Sequence, residues 1–170
     1  RINLFDTPCK FKKKSSSCIF KPQTSTSKTK RLTRKSSGNN IYFIFVNTPV
    51  FHHHPHIIHL PKITTDEEKN RFISTCDAHL ECGKLGHSYG IACAEFSVNN
   101  KPIVAYNGTV WNRAHIDILG EKGIYFKNYD ELYNILVNFN PSDYENRDMN
   151  CYRDYTPEKV MKIFNDVFLC

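Results

Sequence analysis

Nowhere is this chain apolar for the roughly 18 residues that a membrane helix needs; its longest apolar run, Ile41 to Val46, has the length of a strand. No secretory leader is visible, because Arg1-Ile2-Asn3-Leu4-Phe5 lacks a charged region followed by an apolar stretch and a small-residue cleavage site. A cytoplasmic location is therefore expected. No CxxC occurs among the seven cysteines (Cys9, Cys18, Cys76, Cys82, Cys93, Cys151 and Cys170) and their number is odd. Several lie in apolar runs, where a thiol packs as a small hydrophobe, so reduced thiols are expected and a Cys-based zinc module is not. No Ser–His–Asp or Cys–His spacing recommends nucleophilic catalysis, and no internal repeat divides the chain.

Acid is nearly missing from the first 40 residues, where eleven Lys/Arg face the single Asp6, a balance of +10. Residues 41–170 hold the other twelve Lys/Arg and sixteen acids, a balance of −4, so the tail accounts for all of the net +6. A mildly acidic body gives no specific nucleic-acid surface. The tail is built largely of Lys, Ser and Thr, as in Thr24-Ser25-Thr26-Ser27-Lys28-Thr29-Lys30. Such a segment buries too little apolar surface to offset its ordering entropy, so residues 1–40 are expected to be a disordered, low-complexity basic tail.

From Ile41 onward the pattern is that of one α/β domain, residues 41–170. Ile41–Val46 is a continuous β-branched and aromatic run, and Ile57–Leu60 is a shorter one. Thr65 with Glu68 forms a capping box for a helix running to about Thr75. Ala78–Cys82 reads as a strand, Gly90 to about Val98 as a helix, and Pro102–Tyr106 and Gly123–Phe126 as strands. Asn128 caps a helix with Leu132, Ile135, Leu136 and Phe139 at i, i+3, i+4 and i+7. A last helix opens at Thr156-Pro157, with proline at its first position, and is expected to bury Val160, Ile163, Phe164, Val167 and Phe168. This alternation predicts a Rossmann-like, three-layer fold with a parallel sheet, and ligands bind such sheets at the carboxyl ends of their strands.

One segment stands out at such an end. Gly86-His87-Ser88-Tyr89-Gly90-Ile91 leads from a strand into a helix, and Glu95 lies about one and a half turns inside it. The glycines permit close backbone approach, and the helix start offers free N–H groups at a positive dipole end, which suits a pyrophosphate. Glu95 can accept bonds from vicinal hydroxyls, as an acid does for ribose in dinucleotide sites. The same features also serve ordinary α/β packing.

With Asp77-Ala78, His87-Ser88-Tyr89-Gly90, Ala94-Glu95-Phe96-Ser97, Asn100-Lys101-Pro102 and Gly120-Glu121-Lys122-Gly123-Ile124-Tyr125 in order, residues 41 to about 139 resemble a known family. They resemble the C-terminal, nucleotide-sugar-binding domain of GT-B glycosyltransferases of the glycogen-synthase-like group 1, closest to group 1 proteins of large DNA viruses and environmental genomes. The resemblance implies transfer of a sugar, with retention, from a nucleoside-diphosphate sugar to an unknown glycan, lipid or protein acceptor, with no metal or other cofactor. In the family's Glu-x7-Glu motif the second glutamate binds ribose and matches Glu95. The first contacts the donor sugar and is His87 here, while the arginine usual after the third strand is Gly83. By the same resemblance Ser88, Tyr89, Gly90 and Ile91 line the diphosphate and His87 is the catalytic position. The acceptor-binding N-terminal domain and the basic pair before the first strand are not matched, so the chain reads as a fragment. The other reading is a truncated or degenerate copy that folds without transferring sugar.

The remaining histidines read more plainly. His52, His53, His54, His56 and His59 flank Pro55 between two strands, and no metal is expected there. His79 reads as a packed, hydrogen-bonded core residue, and His115 as a surface residue of a helix in preference to a contact with donor phosphate. Trp111 suits base stacking and a partly exposed packing role equally.

Overall fold

Runs of β-branched residues alternating with capped amphipathic segments fold, in a computed structural model, into six strands and five helices among the described residues, which are 16–20, 41–108 and 111–169. The strands are β1 (Ser16–Phe20), β2 (Tyr42–Val46), β3 (Ile57–Leu60), β4 (Ala78–Glu81), β5 (Ile103–Tyr106) and β6 (Ile124–Phe126). The helices are α1 (Asp66–Thr75), α2 (Ile91–Val98), α3 (Ala114–Leu119), α4 (Tyr129–Asn138) and α5 (Pro157–Phe168). The capping box of α1 is complete: the Thr65 side chain accepts from the Glu68 backbone N–H, and the Glu68 carboxylate accepts from the Thr65 N–H. The Asn128 and Thr156 side chains cap α4 and α5 by accepting from the Glu131 and Lys159 N–H groups, without the reciprocal bond. No helix is long and apolar enough to cross a membrane among the described residues.

The sheet has the order β3-β2-β1-β4-β5-β6. Strand β2 pairs with β3 in parallel, and β4, β5 and β6 form a second parallel block. Between the blocks runs β1, antiparallel to both neighbours, with Cys18 opposite Ile44 on one side and His79 on the other. Two expectations are corrected here. The sheet is mixed rather than wholly parallel, and residues 16–20 are a central strand rather than part of a disordered tail. The rest of residues 1–40 lies outside the described residues. The reason for the miss is local: Cys18, Ile19 and Phe20 are good strand formers, but the surrounding Lys and Ser dominate any composition window.

Side chains alternate across the sheet, as a pleated strand requires. On one face Ile103 and Ala105 join Ile73, Cys93, Phe96, Ile116 and Leu119 in a buried cluster. On the other, Val104 joins Ala78, Leu80, Phe126, Leu132, Leu136 and Phe139. Helices α1, α2 and α3 therefore cover one face and α4 the other. The short α3 is the helix on which His115 was expected.

Two further expectations fail. Helix α5 forms where expected, but Ile163 is 61% exposed, and Val160, Phe164, Val167 and Phe168 are exposed with it. Its sequence satisfies helix capping and amphipathicity, and neither dictates what the apolar face meets. The fully buried Cys76 is disulfide-bonded, so the thiols are not all reduced; its partner side chain is outside those described. Cys82, Cys93 and Cys151 are not in a disulfide.

Because β1 is the ladder partner of both β2 and β4, its removal leaves two unpaired strand edges in the middle of the sheet. Deleting Ser16–Phe20 is expected to abolish cooperative unfolding, and in the intact chain the Cys18 and Ile19 amides are expected to exchange as slowly as those of β4. Exchange at those two amides on the timescale of a free peptide would contradict the pairing.

Candidate functional site

Strand β4 ends at Glu81, and the chain then turns through residues 82–90 into α2. Period-two alternation puts His79 and Glu81 on the same face of β4. Helical spacing puts Cys93, Phe96 and Ser97 together on the buried face of α2. His79 is 1% exposed and its ring stacks on Phe96 at 4.8 Å. Neither of its ring nitrogens has a hydrogen bond, which corrects the expectation of a satisfied core histidine. Its nearest polar approach is Nε2 to Glu81 Oε2 at 3.7 Å, an electrostatic contact too long for a hydrogen bond.

Glu81 organises the turn. Its Oε1 accepts from the Gly83 N–H at 2.7 Å and faces His87 Nε2 at 3.0 Å. Burial by itself raises its pKa, but the two imidazoles, His79 and His87, outweigh that and hold the carboxyl well below the usual range. The same contact raises the pKa of His87, against a smaller opposing effect of burial. His87 is in turn read by His115, whose Nδ1 lies 3.1 Å from the His87 carbonyl oxygen, with the rings edge to face at 5.5 Å. The His87 backbone N–H stands 3.3 Å from the same nitrogen, so Nδ1 accepts that N–H in one tautomer and donates to the carbonyl in the other. His115 is 1% exposed, not a surface residue, and burial depresses its pKa.

The residues singled out in the sequence do gather around this turn. Gly90 is the N-cap of α2, with φ of +76° and no side-chain cap, so the first N–H groups of the helix carry no capping bond. Ser88 and Ile91 are exposed. Tyr89 packs edge to face on Tyr152 at 5.2 Å, and the Tyr152 hydroxyl donates to the Tyr89 carbonyl at 2.7 Å. Glu95 is one-third exposed and paired with Lys69 of α1 at 3.0 Å. Trp111 is 70% exposed.

The two glycines have an internal explanation. A Cβ at Gly86 would lie 2.5 Å from the carbonyl oxygens of Trp111 and Asn112, and one at Gly90 2.9 Å from the His115 Cβ. What approaches closely is the connection from β5 into α3 at Gly86 and α3 itself at Gly90.

Glu81, Lys69 and Tyr152 escaped the sequence reading, and His115 was placed on the surface rather than in the core. The i, i+2 pair His79 and Glu81 on a strand was legible as a same-face pair. The others are brought in by tertiary packing and left no local signal.

The histidine run is separate from this turn. His54 Nδ1 accepts from the His56 N–H at 3.0 Å, His59 Nε2 meets the His52 carbonyl at 3.3 Å, and the His52 and His54 rings stand 6.3 Å apart. Among the described residues, only His79, Glu81 and Cys93 bring three ligand atoms together.

Comparisons with protein-family models, with curated proteins and with solved structures return no match to this chain.

The glycine geometry makes a ranked prediction. All three positions 86, 90 and 120 have positive φ, so alanine is strained at each by ~1–3 kcal/mol. Nothing stands within 4 Å of a Cβ at Gly120, whereas at Gly86 two backbone carbonyls do. Denaturant unfolding should therefore rank the losses Gly86→Ala above Gly90→Ala above Gly120→Ala. Equal losses at all three would show that the close contacts carry no energy.

Proposed function

We propose that this chain is the donor-binding domain of a retaining GT-B-type glycosyltransferase of the glycogen-synthase-like group, with a Rossmann-like three-layer architecture. The observation that carries the reading is the uncapped N-terminus of α2 directly after β4. The parallel block supports it: β4 and β5 are parallel neighbours joined through α2, and ligands of α/β sheets bind outside the carboxyl ends of parallel strands. The carboxyl end of β4 feeds the turn that opens α2. A further support is Asn107, at the carboxyl end of β5, whose buried Oδ1 has no partner.

In this reading the diphosphate of a nucleoside-diphosphate sugar lies against the backbone N–H groups at Gly90 and Ile91, with Ser88 and Tyr89 beside it. The helix dipole favours the anion there. Glu95 accepts the ribose hydroxyls, exchanging its exposed ion pair with Lys69, which is worth at most about 1 kcal/mol, for bonds to the ligand. His87 faces the sugar. The acceptor, a glycan, lipid or protein, is met by a part of the enzyme outside this domain, and the site of action is cytoplasmic.

A specific observation favours a second reading, a copy that binds donor without transferring sugar. Transfer requires compensation of the charge that develops on the leaving diphosphate. His87, the residue at the catalytic position, has its Nε2 engaged by Glu81, and Gly83 stands where the family carries arginine.

Titration calorimetry of the 170-residue chain with uridine, guanosine and adenosine diphosphates tests the site. Glu95→Gln should weaken binding of the preferred nucleotide by about 1.5–3 kcal/mol, the range for hydrogen bonds to a charged partner. Lys69→Met should leave it equal or tighter, since it frees the carboxylate. Binding untouched by Glu95→Gln, or absent for all three nucleotides, would refute the site. Turnover of a nucleotide sugar by the chain alone, on the order of 1 s⁻¹, would refute the non-transferring reading.

A further inference from the structure

Beneath the turn that carries the proposed donor site lies a second constellation that the nucleotide reading leaves unused. His79 on β4 and the free Cys93 on α2 are fully buried, and Glu81 closes the group from the end of the strand. One ligand atom from each lies within 4.8 Å of the others. We propose that His79, Glu81 and Cys93 form a binding site for a thiophilic divalent transition metal, zinc in the first instance. The proposal does not depend on the donor-binding reading.

Three observations carry it. First, both His79 nitrogens are without a hydrogen bond in a residue that is 1% exposed. A buried polar group in that state carries its full desolvation cost, and a metal ion is a partner that removes it. Second, the atoms nearly fit. Zinc holds nitrogen and oxygen at about 2.0 Å and sulfur at about 2.3 Å, so neighbouring tetrahedral ligand atoms stand about 3.3–3.6 Å apart. The His79 Nε2–Glu81 Oε2 separation is already 3.7 Å, and the 4.8 Å limit on the group leaves about 1 Å to close. Third, the ligands are held from behind. The His79 ring is stacked on Phe96, and Glu81 Oε1 is fixed by the Gly83 N–H and His87, leaving Oε2 to the site. Such outer partners orient a ligand set before the metal arrives.

The donor set selects the ion. Imidazole, carboxylate and thiolate together suit zinc and cobalt, whereas magnesium and calcium take oxygen ligands. Cys93 binds as thiolate, its proton passing to solvent. Three protein ligands leave a fourth position for water or another small donor.

The test uses cobalt(II) as probe and zinc(II) as competitor on the full 170-residue chain. One equivalent of cobalt should give tetrahedral visible bands and a sulfur-to-cobalt charge-transfer band, and zinc should displace it. Cys93→Ser and His79→Gln should each weaken zinc binding at least about 100-fold, since loss of an outer partner alone costs 10–100-fold. Cys82→Ser, and a combined His52→Ala, His53→Ala, His54→Ala variant, should retain the sulfur band. A sulfur band that survives Cys93→Ser, or cobalt uptake with no sulfur band, overturns the site, as does the absence of saturable uptake. Because Cys93 is fully buried, the wild-type chain supplies a second readout should the serine variant unfold. X-ray absorption of its bound zinc should show a single sulfur among nitrogen and oxygen neighbours, and several sulfurs or none would overturn the proposal.

Discussion

A carboxylate placed where water scarcely reaches it sets the shape of the turn between β4 and α2. The Glu81 side chain is 13% exposed, and an ionised carboxylate so enclosed costs several kcal/mol unless its oxygens are engaged. The cost is met locally: the backbone turns back at Gly83 to donate to Oε1, and His87 closes the turn from four residues further on. Residues 83–87 therefore adopt their path because Glu81 is charged. That path presses Gly86 against the backbone at Trp111 and Asn112 and delivers the His87 carbonyl to His115. One buried charge thus fixes the mutual placement of the turn after β4 and the turn after β5.

Helix α2 carries that placement across the domain. Its first turn is set by Gly90 against His115, and its last by Ser97, which accepts from the Cys151 N–H and donates to the Met149 carbonyl. Asn100, just past the helix, bonds Arg147 and Met149 in the same way. The segment 147–152 is therefore sewn to one end of α2. It returns Tyr152 to the other end, where the hydroxyl holds the Tyr89 carbonyl in front of the helix start. An irregular segment some fifty residues downstream so decides the shape of the turn before α2.

The parts of this architecture that were legible in the sequence are those governed by neighbours within a few residues. Strands β2 to β6, the capping box at Thr65, the Asn128 and Thr156 caps and the Gly90 start of α2 all rest on periodicity or on side chains bonding to the nearby backbone. What escaped depends on distant partners. Strand β1 is defined by ladders to β2 and β4 on either side, and a five-residue strand among lysines and serines has no periodicity of its own. The exposure of α5 and the burial of His115 are likewise properties of what packs alongside. Within the candidate site, His87, Gly90 and Glu95 were visible as a spaced motif. Glu81 was not, although its spacing from His79 on a strand already put the two on one face.

The departure from the resembled motif at position 87 follows from the same carboxylate. A glutamate there would bring a second carboxylate to where the His87 imidazole now lies 3.0 Å from Glu81 Oε1. Two like charges at such range are strongly disfavoured in a partly buried setting, and one of them would have to take up a proton. An imidazole resolves the conflict by donating to Glu81, and its own pKa is raised by doing so. The substitution also changes what position 87 can offer a sugar: a carboxylate accepts hydrogen bonds from hydroxyls, whereas an imidazole committed to Glu81 through Nε2 retains only Nδ1. Glu95 has no such competitor beyond the exposed Lys69. On the proposed reading, this turn would favour holding a nucleotide over handling a sugar, because the charge that shapes the turn also engages the residue at position 87.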